Sequence, residues 1–210
     1  MNRFFLAFLA LIIIPSGASA AAAPASFSID QSVLSASPSL GNAYAAGVSV
    51  VLSAPVGGDF SAIGGSIVTA SPVAGDELLL AGSISSRASV MGDFRAVGGT
   101  INIEKSIGGD LVAFGLSVHD VGRPKGSVFA VALDSSFTGG ADGPVTIYGN
   151  NISLSGNFNN DVVIAASGKI TLATSTNIRG SLSYSAPEEA AIPESVIISG
   201  GVEYKNLSYL

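Results

Sequence analysis

The sequence predicts an all-β fold, a parallel β-helix (solenoid) wound in coils of 17 residues. Three observations lead there. First, a 17-residue repeat runs through the chain: with Asn42 as first position, coils start at Asn42, Asp59, Asp76, Asp93, Asp110, Ser127, Pro144 and Asp161. Such a period marks a solenoid, whose repeats bury their apolar faces only against their neighbours. Second, apolar residues recur both two apart along the chain and 17 apart between coils. Spacing by two is one face of a strand, and recurrence at the repeat length is the same place in the next coil. Third, only 11% of residues are charged, while Gly numbers 26 and Cys 0. That composition suits narrow coils with tight corners, held by no disulfide and offering no thiolate metal ligand.

The elements follow in order. Residues 1–20 read as a secretory signal: Arg3, an apolar run from Phe4 to Ile14, and the small-residue site Ala18-Ser19-Ala20. The run is shorter than the ~20 residues a spanning helix needs. The product is expected to be exported, to the periplasm, the outside or the cell envelope. Residues 21–41 have weak periodicity, broken by Pro24, Pro38 and Gly41, and are expected as a leader or cap. Residues 42–180 form the repeat domain. Offset one from each coil start carries Ala43, Phe60, Glu77, Phe94, Leu111, Val128, Val145 and Val162. Offset three carries Ala45, Ala62, Leu79, Ala96, Ala113, Ala130, Ile147 and Ile164, and offset eight begins Val50, Ile67, Ile84, Ile101, Val118. Offset fourteen begins Val56, Val73, Val90, Ile107. These columns are the expected interior. Gly pairs at residues 57–58, 64–65, 98–99 and 108–109 are expected at corners, where their backbone freedom fits. After Asp161 the phase slips by one residue, and the coils lengthen toward 20 residues. Residues 181–210, with Pro187 and Pro193, read as an irregular closing coil and tail. Eight to ten coils at ~4.8 Å each would give a rod of roughly 40–50 Å.

Candidate sites are few. Asp59, Asp76, Asp93 and Asp110 stack as a carboxylate column. A cation such as Ca²⁺ would relieve their repulsion, making them weak metal candidates. The plainer expectation is that each accepts backbone N–H groups beside its corner Gly. His119 and Asp120 lack a nucleophile and are expected as exposed corner residues. Arg123 and Lys125 could meet an acidic partner. Offset four reads Ala46, Ile63, Leu80, Val97, Phe114, Val131, Tyr148, Ala165, an association strip if it faces outward and core if the Gly-pair corner turns it inward. Val196 and Ile198 make the closing coil apolar enough for an end contact. The net charge of -6 argues against nucleic acid as a partner.

The recurring pattern of G-D, apolar residues, A-x-G-G and V-x-I, as in residues 58–75 and 92–109, resembles the bactofilin or polymer-forming cytoskeletal family over about residues 42–205. The resemblance implies a right-handed, three-sided β-helix that assembles end to end without nucleotide. Typical members are cytoplasmic, and the export signal departs from that. The expected function is a non-enzymatic scaffold whose partner is itself, near envelope or membrane components, with no cofactor, metal or small-molecule substrate. A surface adhesin or glycan-binding rod shares the fold. A carbohydrate-active β-helix enzyme would carry catalytic residues on projecting loops, and these repeats lack insertions.

Overall fold

A computed structural model describes residues 23–207, an all-β parallel solenoid without helix. Seven ten-residue strands form its body: β3 (Ala43–Leu52), β4 (Phe60–Thr69), β5 (Glu77–Ser86), β6 (Phe94–Ile103), β7 (Leu111–Asp120), β8 (Val128–Phe137) and β9 (Val145–Leu154). Each pairs in parallel with the next at a shift of 17 residues, as in Phe60↔Glu77 and Phe94↔Leu111. The pairing skips offset six, occupied by Val48, Gly65, Gly82 and Gly99. There each long strand bends from a first face onto a second. The third face is one bridge wide, Val56↔Val73↔Val90↔Ile107.

The first coil is built from residues assigned above to a leader or cap. β1 (Ser26–Ile29) and β2 (Ser32–Ser35) pair with β3 in the same 17-residue register, Ser26↔Ala43 and Ser32↔Ser49, and Ser39 bridges Val56. The coil was hard to read because serines fill the positions that hold aliphatic residues elsewhere. At the other end come β10 (Asn157–Phe158), β11 (Val162–Ala166), β12 (Ile170–Leu172), β13 (Asn177–Ile178), β14 (Leu182–Ala186), β15 (Ile197–Ile198) and β16 (Val202–Asn206). Here the register widens to 20, as in Val162↔Leu182 and Leu182↔Val202. One extra residue enters before Ile170, which pairs with Ile152. The other two enter before Asn177, which pairs with Asn157. The rod thus has about 11 coils, more than expected, for a length of about 50 Å at ~4.8 Å per coil.

The core is the set of inward columns. Offsets one, three, eight and fourteen are buried in the regular coils, as the alternation predicts. A further inward column at offset ten escaped notice: Leu52, Thr69, Ser86, Ile103, Asp120, Phe137, Leu154. Its three polar members break the apolar signature. Pro187 and Pro193 bracket a segment without strand, so no second-face strand pairs with β12 on that side. Proline cannot donate to a ladder and ends it there. Ala190, Ile192 and Val196 of this segment pack partly against the core.

The corner glycines serve a different purpose from the one expected. Among the described residues only Gly140, Gly156 and Gly201 have positive φ. At Gly75, Gly92 and Gly109 the constraint is room: an added Cβ would lie 2.1–2.2 Å from a carboxylate oxygen of the preceding coil and 2.8–3.0 Å from its backbone. Gly82 is less confined, its nearest neighbour Gly65 O at 3.0 Å. Gly92→Ala should therefore lower the urea midpoint by the equivalent of ~1–3 kcal/mol, and Gly82→Ala by clearly less; equal losses would show that close approach is not the constraint.

Candidate functional site

The aspartate column is a ladder of hydrogen bonds between coils. The backbone N–H of Asp76 donates to Asp59 Oδ1 at 2.9 Å, that of Asp93 to Asp76 Oδ1 at 2.8 Å, and that of Asp110 to Asp93 Oδ1 at 2.8 Å. The ladder starts at Asn42, whose Oδ1 accepts from Asp59 N–H at 2.9 Å, and runs on to Ser127, whose N–H donates to Asp110 Oδ1 at 2.7 Å. Each carboxylate satisfies the one amide at a coil start that has no backbone acceptor, while the glycine amide before it still bonds the preceding coil's glycine carbonyl. The glycine before each Asp is what lets the preceding carboxylate reach it. Arg95 pairs with Asp76 Oδ2 at 3.2 Å and with Asp93 Oδ2, and so supplies positive charge midway along the column. The Asp93 N–H holds the Asp76 carboxyl below its ordinary range; burial opposes it, and the Arg95 guanidinium adds to the lowering. Among the described residues no three His, Asp or Glu side chains converge to hold a metal ion.

Two other acids lie inside the tube. Glu77 takes an inward position between Phe60 and Phe94 and is 1% exposed. Burial pushes its carboxyl up to about 8. The Thr69 hydroxyl pulls weakly the other way but makes no well-formed hydrogen bond, so Thr69 Oγ1 and Glu77 Oε2 are both without a partner. Asp120, expected at an exposed corner, is wholly buried. It occupies the offset-ten column while His119, one residue earlier, faces outward, so the two do not form a dyad. Burial pushes the Asp120 carboxyl up to about 7, partly offset by the Gly122 N–H at 2.9 Å on Oδ1. Arg123 is also engaged: its Nε and Nη2 donate to Asp142 Oδ1 at 2.9 and 2.6 Å.

On the first face, offset four points outward. Because the bend falls at offset six, alternation runs unbroken from offset one. Ile63, Leu80, Val97, Phe114 and Tyr148 are 40–56% exposed, with Val131 half-buried among them. Offset two adds Phe27, Tyr44, Leu78, Val112, Phe129 and Val163 to the same surface. Phe114 and Tyr148 flank Phe129, ring centroids 5.8 and 5.9 Å apart. Val196 and Ile198 lie half-buried in the closing coil, away from this strip. The second face is polar, and Ser117, His119, Asp134, Ser136, Asn151 and Lys169 line a shallow depression of about 470 Å³ there. Asn151 Nδ2 donates to Asp134 Oδ1 at 2.8 Å within it.

The rod's two ends differ. Inward positions of the first coil hold Ser26, Ser28, Ser35 and Ser39, with Ser26 and Ser39 hydroxyls 3.4 Å apart. The last coil holds Val202, 49% exposed, and Tyr204, which stacks on Tyr184 with centroids 5.1 Å apart. A scan against protein-family models and searches of curated proteins and of solved structures find no match to the chain.

Replacing Asp76 separates the ladder from any cation role. Asp76→Asn keeps the Oδ1 acceptor, as Asn42 does naturally, and should lose less stability than Asp76→Ala, which forfeits a half-buried amide bond worth about 1 kcal/mol and the Arg95 pair; chemical denaturation compares them. The buried acids set a pH dependence. Folded Glu77 keeps its proton to about 8, whereas the unfolded chain releases it near 4.5. Its contribution is fully present below 4.5 and is lost as pH rises through about 8, on the order of 5 kcal/mol. Asp120 acts in the same direction between 3.8 and about 7. The melting temperature should fall from pH 5 to 8, and Glu77→Gln should flatten that slope; an unchanged slope would refute the assignment.

Proposed function

We propose that this chain is a non-enzymatic scaffold of the bactofilin kind, exported, which joins end to end with copies of itself at the cell envelope. The observation that carries the reading is the C-terminal end. In the regular coils offset one is sealed by the next coil. In the last described coil Val202 holds that position and is 49% exposed. An uncapped apolar core column is satisfied by a second such column, as in a tail-to-tail contact. Terminal repeats of solenoids otherwise need a polar outer face; at the first described coil four inward serines supply part of one, beside inward Val33 and exposed Phe27, Ile29, Leu34 and Leu40. Among the described residues the edge strands β1 and β16 each pair on one side only, which suits the same use. Regular coils built from ten-residue strands favour a structural rod over a catalytic one.

A glycan-binding rod is the second reading, supported by the depression on the second face. His119, Asp134, Asn151 and Lys169 offer it donors and acceptors at short spacing.

Sedimentation and negative-stain microscopy of the exported chain, without nucleotide and with or without Ca²⁺, test the proposal. End-joined rods or filaments in plain buffer, lost in Val202→Glu, are expected. Assembly only with Ca²⁺ would move the contact to the aspartate ladder. Monomers throughout, with binding to a glycan array, would favour the second reading, and turnover of a polysaccharide would overturn both.

A further inference from the structure

The apolar first face has a relief that complements itself. Counting the coil of β1 as the first, the small side chains Ala46 and Ser61 in the second and third coils leave a groove of about 340 Å³. It is walled on one side by the stacked rings of Phe27 and Tyr44, 4.9 Å apart, and on the other by Ile63, Leu78 and Leu80. Phe114, Phe129 and Tyr148, in the sixth to eighth coils, form a ridge of three rings. Groove and ridge are nearly equidistant from the fifth coil. A two-fold axis through that coil, running along its strands, lays Phe129 of each copy over its partner's Ser61 and Tyr148 over its partner's Ala46. A two-fold contact requires this kind of self-complementarity.

The same axis superposes the apolar strip on itself. The strip runs from Phe27 in the first coil to Val163 in the ninth, and gives way to Ser183 and Ser185, then Glu203 and Lys205. Its midpoint is the fifth coil. Its one charged side chain, Arg95, lies in that coil and is turned aside onto Asp76 and Asp93. Pairing there would bury no uncompensated charge.

The area is also sufficient. Nine coils at ~4.8 Å by five residues at ~3.3 Å give about 700 Å² per copy. Two such faces bury about 1,400 Å², inside the range of stable specific interfaces. A single exposed patch of this size exceeds what monomers ordinarily present.

We propose that two copies of this chain pair antiparallel, first face against first face, through this strip. The contact rests on the self-association reading above and adds a lateral geometry separate from the end contact.

The full chain has 0 Cys, so single cysteines report register without interference. Val97→Cys, near the axis, should cross-link to itself with a short bis-maleimide, while Phe27→Cys should not. Ser61→Cys mixed with Phe129→Cys should give a mixed pair. Phe114→Glu should raise the dissociation constant at least a hundredfold by sedimentation, with circular dichroism and urea midpoint retained because the side chain is outward. If Val97→Cys fails to cross-link and Phe114→Glu stays paired while Val202→Glu dissociates, the lateral contact is wrong and self-association stands. Monomers at every concentration would sink both. Monomers that float with phosphatidylethanolamine–phosphatidylglycerol vesicles, and stop floating on Phe114→Glu, would give the strip to lipid and overturn the pairing.

Discussion

Every part of this molecule depends on the backbone of one coil lying one strand spacing above the last. In the flat faces, parallel sheet bonds enforce that spacing. At each coil start one amide falls outside that ladder, although the glycine amide before it still reaches the preceding coil. The chain uses the side chain of the residue at each coil start: Asp59, Asp76, Asp93 and Asp110 each accept the amide of their own counterpart in the next coil. The carboxylate can reach that amide only if the residue before it has no Cβ. Glycine and aspartate therefore form one device, and neither is selected alone. Repetition of the pair then follows from geometry, without any demand from catalysis or metal binding.

A solenoid's stability is close to a sum of coil terms and nearest-neighbour contacts. An unfavourable coil is thus carried by its neighbours and does not collapse the fold. This explains how Glu77 can stand in a column of Phe and Leu, and Asp120 between Ile103 and Phe137. Each is kept neutral by burial over most of the acid range, so the core need not hold a bare charge. The cost appears when the pH rises enough to ionise them.

The regular part of the fold was legible because its rules are local and repeated. The 17-residue period and the alternation within it placed Phe60, Ile67, Val73 and their counterparts in the core, and the extra residue before Ile170 showed as a slip of phase. Three features were hidden. Ser26 and Ser39 obscured a coil that is in full register, since periodicity was sought in apolar residues. Thr69, Ser86 and Asp120 obscured the offset-ten column, which led Asp120 to be placed at the surface. The facing of Ile63 and Phe114 turned on where one bend falls, and a bend at offset six differs from one at offset four by only two residues. A glycine pair marks a corner's neighbourhood without fixing its residue. The reach of a carboxylate to the next coil's amide left only the G-D spacing as its trace.

The contrast between the ends bears on what association could achieve. The terminal coils have one neighbour each, so they are the weakest links in a nearest-neighbour chain and the first to fray. Serines at the first coil lower the penalty of meeting water but bury little apolar surface. Valine and tyrosine at the last coil do the opposite: Val202 is half exposed, and Tyr204 is held by a stack on Tyr184 and by its hydroxyl bond to Ala186 O at 3.2 Å. In the proposed assembly a second C-terminal end would supply the missing neighbour to the coil that most lacks one. Association there would stabilise the fold as well as lengthen the rod, whereas contact along the first face would add affinity without changing any coil's neighbours. Both contacts bind only the folded chain and so raise the melting temperature as protein concentration increases; they differ in where they act, since only the end contact gives the last coil a second neighbour and should slow amide exchange in β16.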